Sequence, residues 1–203
     1  MSATMQTQQQ PRKAWDAIAI GASAGGVDAI ARLLEALPAH CRAAVFVVLH
    51  LAPDSRSVLA QLLARRCALP VKEAEDKELA QPGVVYLCVP DYHLMVEPDR
   101  TLALSRDEPV HYSRPSIDVL FESAALAYRD SLLGIILTGA SRDGADGLKQ
   151  VRACGGTAWV QDPSDAAAPT MPDAALAHAG ADAVLPLEKI AARLATFCSQ
   201  DAA

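Results

Sequence analysis

Short, uninterrupted apolar runs alternate along this chain with segments whose apolar residues recur at helical spacing. The run 17–20 ends at Gly21. Between Val27 and Leu37 the apolar residues then recur every three or four positions, and Pro38 ends the pattern. The first run predicts a buried strand, and the segment after it predicts an amphipathic helix packed against that strand.

The alternation continues to the end of the chain. Strands that are apolar throughout are typical of a sheet covered on both faces, and repeated strand–helix units with right-handed crossovers make such strands parallel. We therefore expect an α/β fold, a doubly wound and mainly parallel sheet with helices on both faces. The further predicted strands are 45–49, 134–138, 157–160 and 184–185, and the further helices are 58–63 (capped by Asp54 or Ser55), the segment after Ser116, 148–151, 172–178 and 188–197.

The middle of the chain follows a different pattern. Three short apolar runs, 84–89, 93–97 and 101–105, are separated by the pairs Pro90-Asp91 and Pro98-Asp99. Turn residues this close together are typical of hairpins. We therefore expect a small antiparallel hairpin excursion from the main sheet in this region.

A single domain accounts for the length of the chain. Its 203 residues are within the usual size of one domain, which we assign to 14–203. Residues 1–13 are polar and rich in glutamine, without the apolar stretch of a signal peptide, and are expected to form a flexible N-terminal tail. The apolar runs are too short to cross a bilayer, so we expect no membrane insertion and a cytoplasmic location.

Charge and cysteine content narrow the classes of function. A formal net charge of −6 disfavours a nucleic-acid partner, because phosphate binding requires a basic face. The number of cysteines is odd and no C-x-x-C pair occurs, which predicts reduced thiols rather than a disulfide framework or a zinc site. The five cysteines are Cys41, Cys67, Cys88, Cys154 and Cys198.

The turn at 21–26, between the first strand and the first helix, carries the strongest chemical signal. A glycine-rich turn in this position is typical either of a dinucleotide-binding loop or of a nucleophile elbow, G-x-S-x-G, which exposes a serine hydroxyl. Ser23 matches the serine of the elbow and replaces the second glycine of the dinucleotide motif. The second strand also lacks a terminal acidic residue for a ribose, so the elbow is favoured. A third alternative is that Ser23 only caps the helix.

His50 and Asp143 are the candidate partners of Ser23. A serine hydroxyl needs a base to take its proton, and the base needs a third group to orient it. His50 directly follows the second predicted strand, and Asp143 lies in the loop after the strand 134–138, so both face the same carboxyl edge of the sheet as Ser23. Asp146 is a rival acid, and a turn or capping role is the alternative for Asp143. The pattern predicts a serine hydrolase, although its order Ser…His…Asp differs from that of standard α/β-hydrolases.

With these residues assembled, the chain after residue 14 resembles the catalytic domain of bacterial chemotaxis protein-glutamate methylesterases, the CheB family. The resemblance implies hydrolysis of γ-glutamyl methyl esters on methyl-accepting chemotaxis receptors, with release of methanol, and in some members deamidation of receptor glutamines. It implies no metal and no organic cofactor. It rests on the segment ending at His50 and on the motifs IAIGASAGG (18–26), PGVVY (82–86), RPSIDVLF (114–121), GIILTGASRDGADG (134–147), GGT (155–157) and MP (171–172).

The resemblance also bears on substrate binding and regulation. Ala24, Arg114, Ala140 and Met171 are the residues that it implies at the substrate. Ala24 replaces a common threonine. The loop 139–144 reads Gly-Ala-Ser-Arg-Asp-Gly where the usual form is Gly-Met-Gly-x-Asp-Gly, so we expect Ala140 and Arg142 to alter the pocket. The best-known members carry an N-terminal receiver domain. Its absence here predicts either a stand-alone domain or regulation by a receiver protein in trans.

Two other functions stay open at this point. The altered residues beside Asp143 are compatible with a serine esterase or amidase that acts on another carboxyl derivative. A function of a different class is a catalytically silent adaptor that binds receptor helices or a signalling partner. Reaction of Ser23 with a fluorophosphonate probe distinguishes the hydrolases from the adaptor, because an unactivated serine is not labelled.

Overall fold

The computed structural model describes residues 15–50 and 58–200. In this part of the chain the strands are β1 (Ala17–Ala22), β2 (Ala44–Leu49), β3 (Val71–Glu73), β4 (Val85–Leu87), β5 (His93–Val96), β6 (Leu102–Ser105), β7 (Leu132–Ile136), β8 (Thr157–Gln161) and β9 (Ala183–Leu185). The helices are α1 (Gly26–Glu35), α2 (Val58–Ala64), α3 (Ile117–Tyr128), α4 (Ala145–Ala153), α5 (Thr170–His178) and α6 (Leu187–Gln200), with a 3₁₀ turn at Arg129–Ser131. The predicted tail 1–13 and the predicted caps Asp54 and Ser55 lie outside the described residues.

Seven strands form one parallel sheet in the order β3-β4-β2-β1-β7-β8-β9. In the centre, Ile20 of β1 pairs with Val47 of β2 on one side and with Ile135 of β7 on the other. The chain extends the sheet from β1 in one direction as far as β3, and then returns to the other side of β1 with β7. The predicted doubly wound α/β fold is confirmed, and its strand order reverses between β1 and β7, where such folds place their ligands.

Apolar side chains of the sheet fill a separate core on each face. Alternate residues of a strand point to opposite faces, so Ile18 and Ile20 pack in the layer that contains α1 and α6. Ala17 and Ala19 face the other layer, which contains α3, α4 and α5. The two layers bury the apolar runs from which the strands were predicted.

In the middle of the chain, the predicted hairpin is confirmed, but the prediction for the run 84–89 is wrong. β5 and β6 form the expected antiparallel hairpin, in which His93 pairs with Ser105. The run at 84–89 is not part of that excursion, because β4 joins the main sheet in parallel with β2. It pairs on its other side with β3, an edge strand that was not predicted. The sequence of β3, Val-Lys-Glu, has no apolar run, and all three residues are half-buried.

Cysteine pairing also differs from the prediction. The structure joins Cys41 to Cys198 in a disulfide with Cα atoms 4.6 Å apart, so the expectation of reduced thiols is wrong for this pair. The two residues are brought together because α6, which carries Cys198, packs against α1. Cys67, Cys88 and Cys154 are free. Among the described residues, no helix has the length and apolar character needed to cross a membrane.

Candidate active site

Three neighbouring strands bring the candidate catalytic side chains to one edge of the sheet. Ser23 directly follows β1, His50 directly follows β2, and Asp143 lies in the loop between β7 and α4. β1 lies between β2 and β7, and all three strands run in parallel, so their carboxyl ends meet at the point where the strand order reverses.

The turn that carries Ser23 is held tightly against the sheet. The Ser23 N–H donates to the carbonyl of Thr138 at 2.9 Å, and the Gly26 N–H donates to the carbonyl of Ser23 at 2.7 Å. Gly25, with φ of 76°, is the N-cap of α1, so the alternative that Ser23 caps this helix is wrong. Gly26 lies so close to β2 that an added Cβ would be 2.5 Å from Cδ1 of Leu49. The half-buried Ser23 is therefore presented by a sharp strand-to-helix turn, as an elbow requires.

His50 and Asp143 are directly bonded. Nε2 of His50 lies 2.8 Å from Oδ2 of Asp143, and the aspartate side chain is fully buried. The backbone N–H of His50 also donates to the carbonyl of Ala22 at 3.2 Å, which connects the histidine to the end of β1, directly before Ser23. Among the hydrogen bonds of the described residues, none joins Ser23 Oγ to His50. The structure thus connects the predicted base to the predicted acid, and places the serine on the adjacent strand end.

The first turn of α3 supplies further donors to Asp143. Its Oδ1 accepts from the Ser116 hydroxyl at 2.8 Å and from the Asp118 N–H at 3.1 Å. Its Oδ2 also accepts from the Ile117 N–H at 2.7 Å. Burial by itself raises the pKa of Asp143, but the hydrogen bonds from His50, from these two backbone N–H groups and from Ser116 outweigh it and hold the pKa below its usual value. Asp143 is therefore a carboxylate, the form that can orient a histidine.

Asp146, the rival acid, does not contact His50. Its Oδ1 lies 2.7 Å from Nε2 of His178, and its Oδ2 lies 3.4 Å from the Arg142 guanidinium. Asp143 is thus the carboxylate that the structure places at the histidine.

The predicted substrate residues occupy different environments. Ala24 and Ala140 are exposed beside the site. Met171 is buried and packs against Gly139, whose carbonyl accepts from the Met171 N–H at 2.9 Å. Arg114 is bonded to Asp91, with Nη2 to Oδ1 at 2.7 Å, and to two backbone carbonyls of the preceding loop. The roles of these four residues in substrate binding stay predictions.

Two buried polar residues at the site, Ser116 and Asp118, were known from the sequence only as a helix start and as part of the motif 114–121. Serine is a common N-cap residue, and this preference is the local signal at Ser116, but it indicates neither burial nor a bond to Asp143. Asp118, in the first turn of α3, accepts from the Gly147 N–H of α4 at 2.6 Å. Burial raises the pKa of Asp118 to about 7, and the nearby negative charge of Asp143 adds to the rise.

Comparison with known proteins finds relatives over most of the chain. The family model described as CheB methylesterase matches residues 18–194. A Leptospira interrogans protein, provisionally named protein-glutamate methylesterase/protein-glutamine glutaminase, is 46% identical over 177 residues, which cover 87% of this chain and 92% of that protein. A Cupriavidus metallidurans protein, protein-glutamate methylesterase/protein-glutamine glutaminase 2, is 42% identical over 89% of this chain and 54% of its own length.

A solved structure shares the fold. The crystal structure of the Thermotoga maritima CheB methylesterase catalytic domain matches with a TM-score of 0.85 and 32% sequence identity, covering 91% of this chain and 99% of that chain. The sheet that brings Ser23, His50 and Asp143 to one edge is therefore the architecture of that solved catalytic domain.

Proposed function

The chain belongs to the CheB methylesterase family, and from this membership and the geometry at Ser23 we propose that it hydrolyses γ-glutamyl methyl esters on methylated chemotaxis receptors. The enzyme class is that of a carboxylic ester hydrolase. The observation that carries the proposal is the placement of Ser23, His50 and Asp143 at three adjacent strand ends, with the histidine bonded to a buried carboxylate.

Acylation of Ser23 is the first half of the proposed reaction. With Nε2 of His50 donating to Asp143, Nδ1 is the nitrogen left to accept the Ser23 proton. Ser23 Oγ attacks the ester carbonyl carbon, and the tetrahedral intermediate collapses with cleavage of the bond to the methoxy group. The imidazolium of His50 returns its proton to that group, so methanol leaves and the glutamyl carbonyl stays on Ser23 as an ester.

Hydrolysis of the acyl-enzyme is the second half. His50 takes a proton from a water molecule whose oxygen attacks the acyl carbon, and then protonates Ser23 Oγ as it leaves. The product is a free receptor glutamate. The same steps with an amide in place of the ester release ammonia, which is the glutaminase reaction that the names of the relatives include.

Backbone N–H groups of the elbow are proposed to stabilise the oxyanion. The Ser23 and Gly26 N–H groups already donate to Thr138 and Ser23 carbonyls. Ala24, the residue after the nucleophile, contributes the N–H that elbows of this kind direct at the developing charge. Because this donor belongs to the backbone, replacement of the common threonine by Ala24 leaves it in place.

The proposed catalytic unit is 14–203, acting in the cytoplasm. The chain spans about half the length of the Cupriavidus relative, with 54% covered, but 92% of the Leptospira relative. Regulation by a receiver protein in trans is a further proposal for this chain.

Methanol release from a methylated receptor tests the proposal. Ser23→Ala is expected to lower the rate by about 10⁴-fold or more, because removal of a nucleophile disables the whole catalytic unit. Ser164→Ala is the matched control, since this serine is exposed and its hydroxyl bonds only to Asp162 on the surface. Equal turnover by Ser23→Ala and the native protein contradicts the assignment. Turnover of small esters without any on receptor favours another carboxyl substrate, and absence of fluorophosphonate labelling favours a silent adaptor.

A further inference from the structure

A second cluster of ligand-type side chains lies behind the catalytic edge. It consists of His111 in the loop before α3, Asp118 in the first turn of α3, and Asp146 in the first turn of α4. One nitrogen or oxygen atom from each of these residues lies within 4.8 Å of the others. Neither the proposed acylation nor the deacylation uses any of these three side chains.

Asp118 contributes an oxygen that lacks a hydrogen-bond partner. Its side chain is only 4% exposed, and Oδ1 accepts from the Gly147 N–H. Oδ2 is buried and receives no hydrogen bond. It lies 3.3 Å from Nε2 of His111, within ion-pair distance but outside hydrogen-bond geometry, and so it points into the cluster. A buried carboxylate oxygen without a partner is rare in folded proteins, and either a proton or a cation relieves it.

The distances from His111 are compatible with a metal cation. Nε2 of His111 is 3.3 Å from Oδ2 of Asp118 and 3.7 Å from Oδ2 of Asp146. A tetrahedral ion with bonds of about 2.0–2.1 Å separates its ligand atoms by about 3.3 Å. The histidine therefore already stands at ligand spacing from one carboxylate and close to it from the other. Asp146, whose side chain is 41% exposed, must move for its oxygen to reach ligand spacing.

Charges around the cluster also favour a cation. The negative charges of Asp143 and Asp146 raise the pKa values of Asp118 and Glu122, after the larger effect of burial. The N-termini of α3 and α4 oppose a cation with about half a positive charge each. The negative charges of Asp146 and of Asp118 exceed this when Asp118, whose pKa burial raises to about 7, is ionised. Arg142 is the nearby fixed positive charge, 3.4 Å from Asp146 on an exposed side chain.

We propose that His111, Asp118 and Asp146 bind one divalent transition-metal ion of the zinc type. Imidazole nitrogen and carboxylate oxygen are both ligands that such ions accept, and a three-residue set leaves a position for water. His178, 2.7 Å from the other oxygen of Asp146, orients that carboxylate in the manner of an outer-shell partner. The ion links the loop before α3 to the two helices that surround Asp143, and the sequence analysis implied no such ion.

Isothermal titration of the full chain with ZnCl₂ tests the site. We expect saturable binding of one ion, and at least a tenfold loss of affinity in His111→Ala, since removal of even an outer-shell partner costs about 10–100-fold. His40→Ala is the matched control, because His40 is an exposed histidine in the loop after α1 and is expected to leave the affinity unchanged. His178→Ala is expected to give an intermediate loss.

Several outcomes overturn the proposal. These are a titration without saturation, and equal affinities for the native protein and His111→Ala, as expected if a cysteine or His50 binds the ion instead. Circular dichroism of each variant shows whether it is folded. If His111→Ala does not fold, Asp146→Asn at its more exposed position replaces it, and unchanged affinity in that variant refutes the site. The readout is binding and does not depend on methylesterase activity, so failure of the proposed function leaves this result interpretable.

Discussion

Replacement of Asp143 by asparagine changes one atom in a network of four hydrogen bonds. Oδ1 accepts from Ser116 Oγ and the Asp118 N–H, and Oδ2 accepts from His50 Nε2 and the Ile117 N–H. The amide of asparagine keeps one acceptor oxygen and turns the other into a donor. In either orientation of the amide, its NH₂ group faces a backbone N–H, which cannot accept a hydrogen bond.

The two orientations of the introduced amide differ in cost. An NH₂ at the Oδ2 position breaks the shorter bond, 2.7 Å to the Ile117 N–H. It also requires Nε2 of His50 to accept a hydrogen bond, so the histidine must adopt its other tautomer. At the Oδ1 position it displaces the longer bond, 3.1 Å to Asp118, while the Ser116 hydroxyl can rotate and accept. We therefore expect the amide oxygen to stay on His50 and the Asp118 N–H to lose its partner. One unsatisfied buried N–H costs about 1–3 kcal/mol.

Two assays measure these effects of Asp143→Asn. A loss of about 1–3 kcal/mol lowers the urea midpoint by about 0.5–1.5 M for a slope near 2 kcal/mol/M. Loss of the negative charge that stabilises the imidazolium is expected to lower kcat for methanol release by about 10²–10⁴-fold, where the upper value applies if the tautomer of His50 also reverses. Asp173→Asn, an exposed aspartate in α5, is the control and is expected to change stability by no more than about 0.5 kcal/mol. Folded Asp143→Asn with kcat within tenfold of native refutes the role assigned to this carboxylate.

Two further predictions concern Ser116 and the cysteines. Ser116→Ala removes the N-cap of α3 together with one donor to Asp143. The free energy of unfolding, measured by urea titration, is therefore expected to fall by about 1–2 kcal/mol. An unchanged urea midpoint contradicts the N-cap role. Iodoacetamide added to the unfolded protein is expected to alkylate three cysteines without reductant and all five with reductant, as counted by intact mass. Five labels without reductant rule out the Cys41–Cys198 disulfide. In the folded protein Cys88 is expected to react slowly, because burial raises the pKa of its thiol.

Residues at strand ends were the part of the site that could be predicted from the sequence. Ser23, His50 and Asp143 each follow an apolar run, and parallel strands bring such positions to one edge without further information. The bond between His50 and Asp143 followed from that placement. The contribution of Ser116 could not be predicted in this way, because it depends on how the start of α3 docks against a loop 27 residues later in the chain.

The other differences between prediction and structure, at β3, β4 and the disulfide, also arise from contacts between distant parts of the chain. β3 lacks an apolar run because it is a half-buried edge strand, so hydrophobic patterning gives no signal for it. β4 is as short as a hairpin strand, and only its pairing with Val45 and its neighbours in β2 reveals that it belongs to the parallel sheet. Cys41 and Cys198 are 157 residues apart, and their meeting depends on the packing of α6. Contacts between distant segments are what local sequence patterns do not encode.

Under the role proposed for Asp143, its support by α3 links catalysis to local unfolding. Three of the four donors to this carboxylate come from Ser116, Ile117 and Asp118, and only His50 comes from elsewhere. Any fluctuation that frays the first turn of α3 removes these three donors at once. It leaves only the His50 bond, which makes the largest single contribution to lowering the pKa of Asp143. Hydrogen exchange at the amides of Ile117 and Asp118 therefore reports directly on how often the molecule leaves its competent state. Slow exchange at these two amides indicates that the hydrogen bonds to Asp143 are already formed before substrate binds.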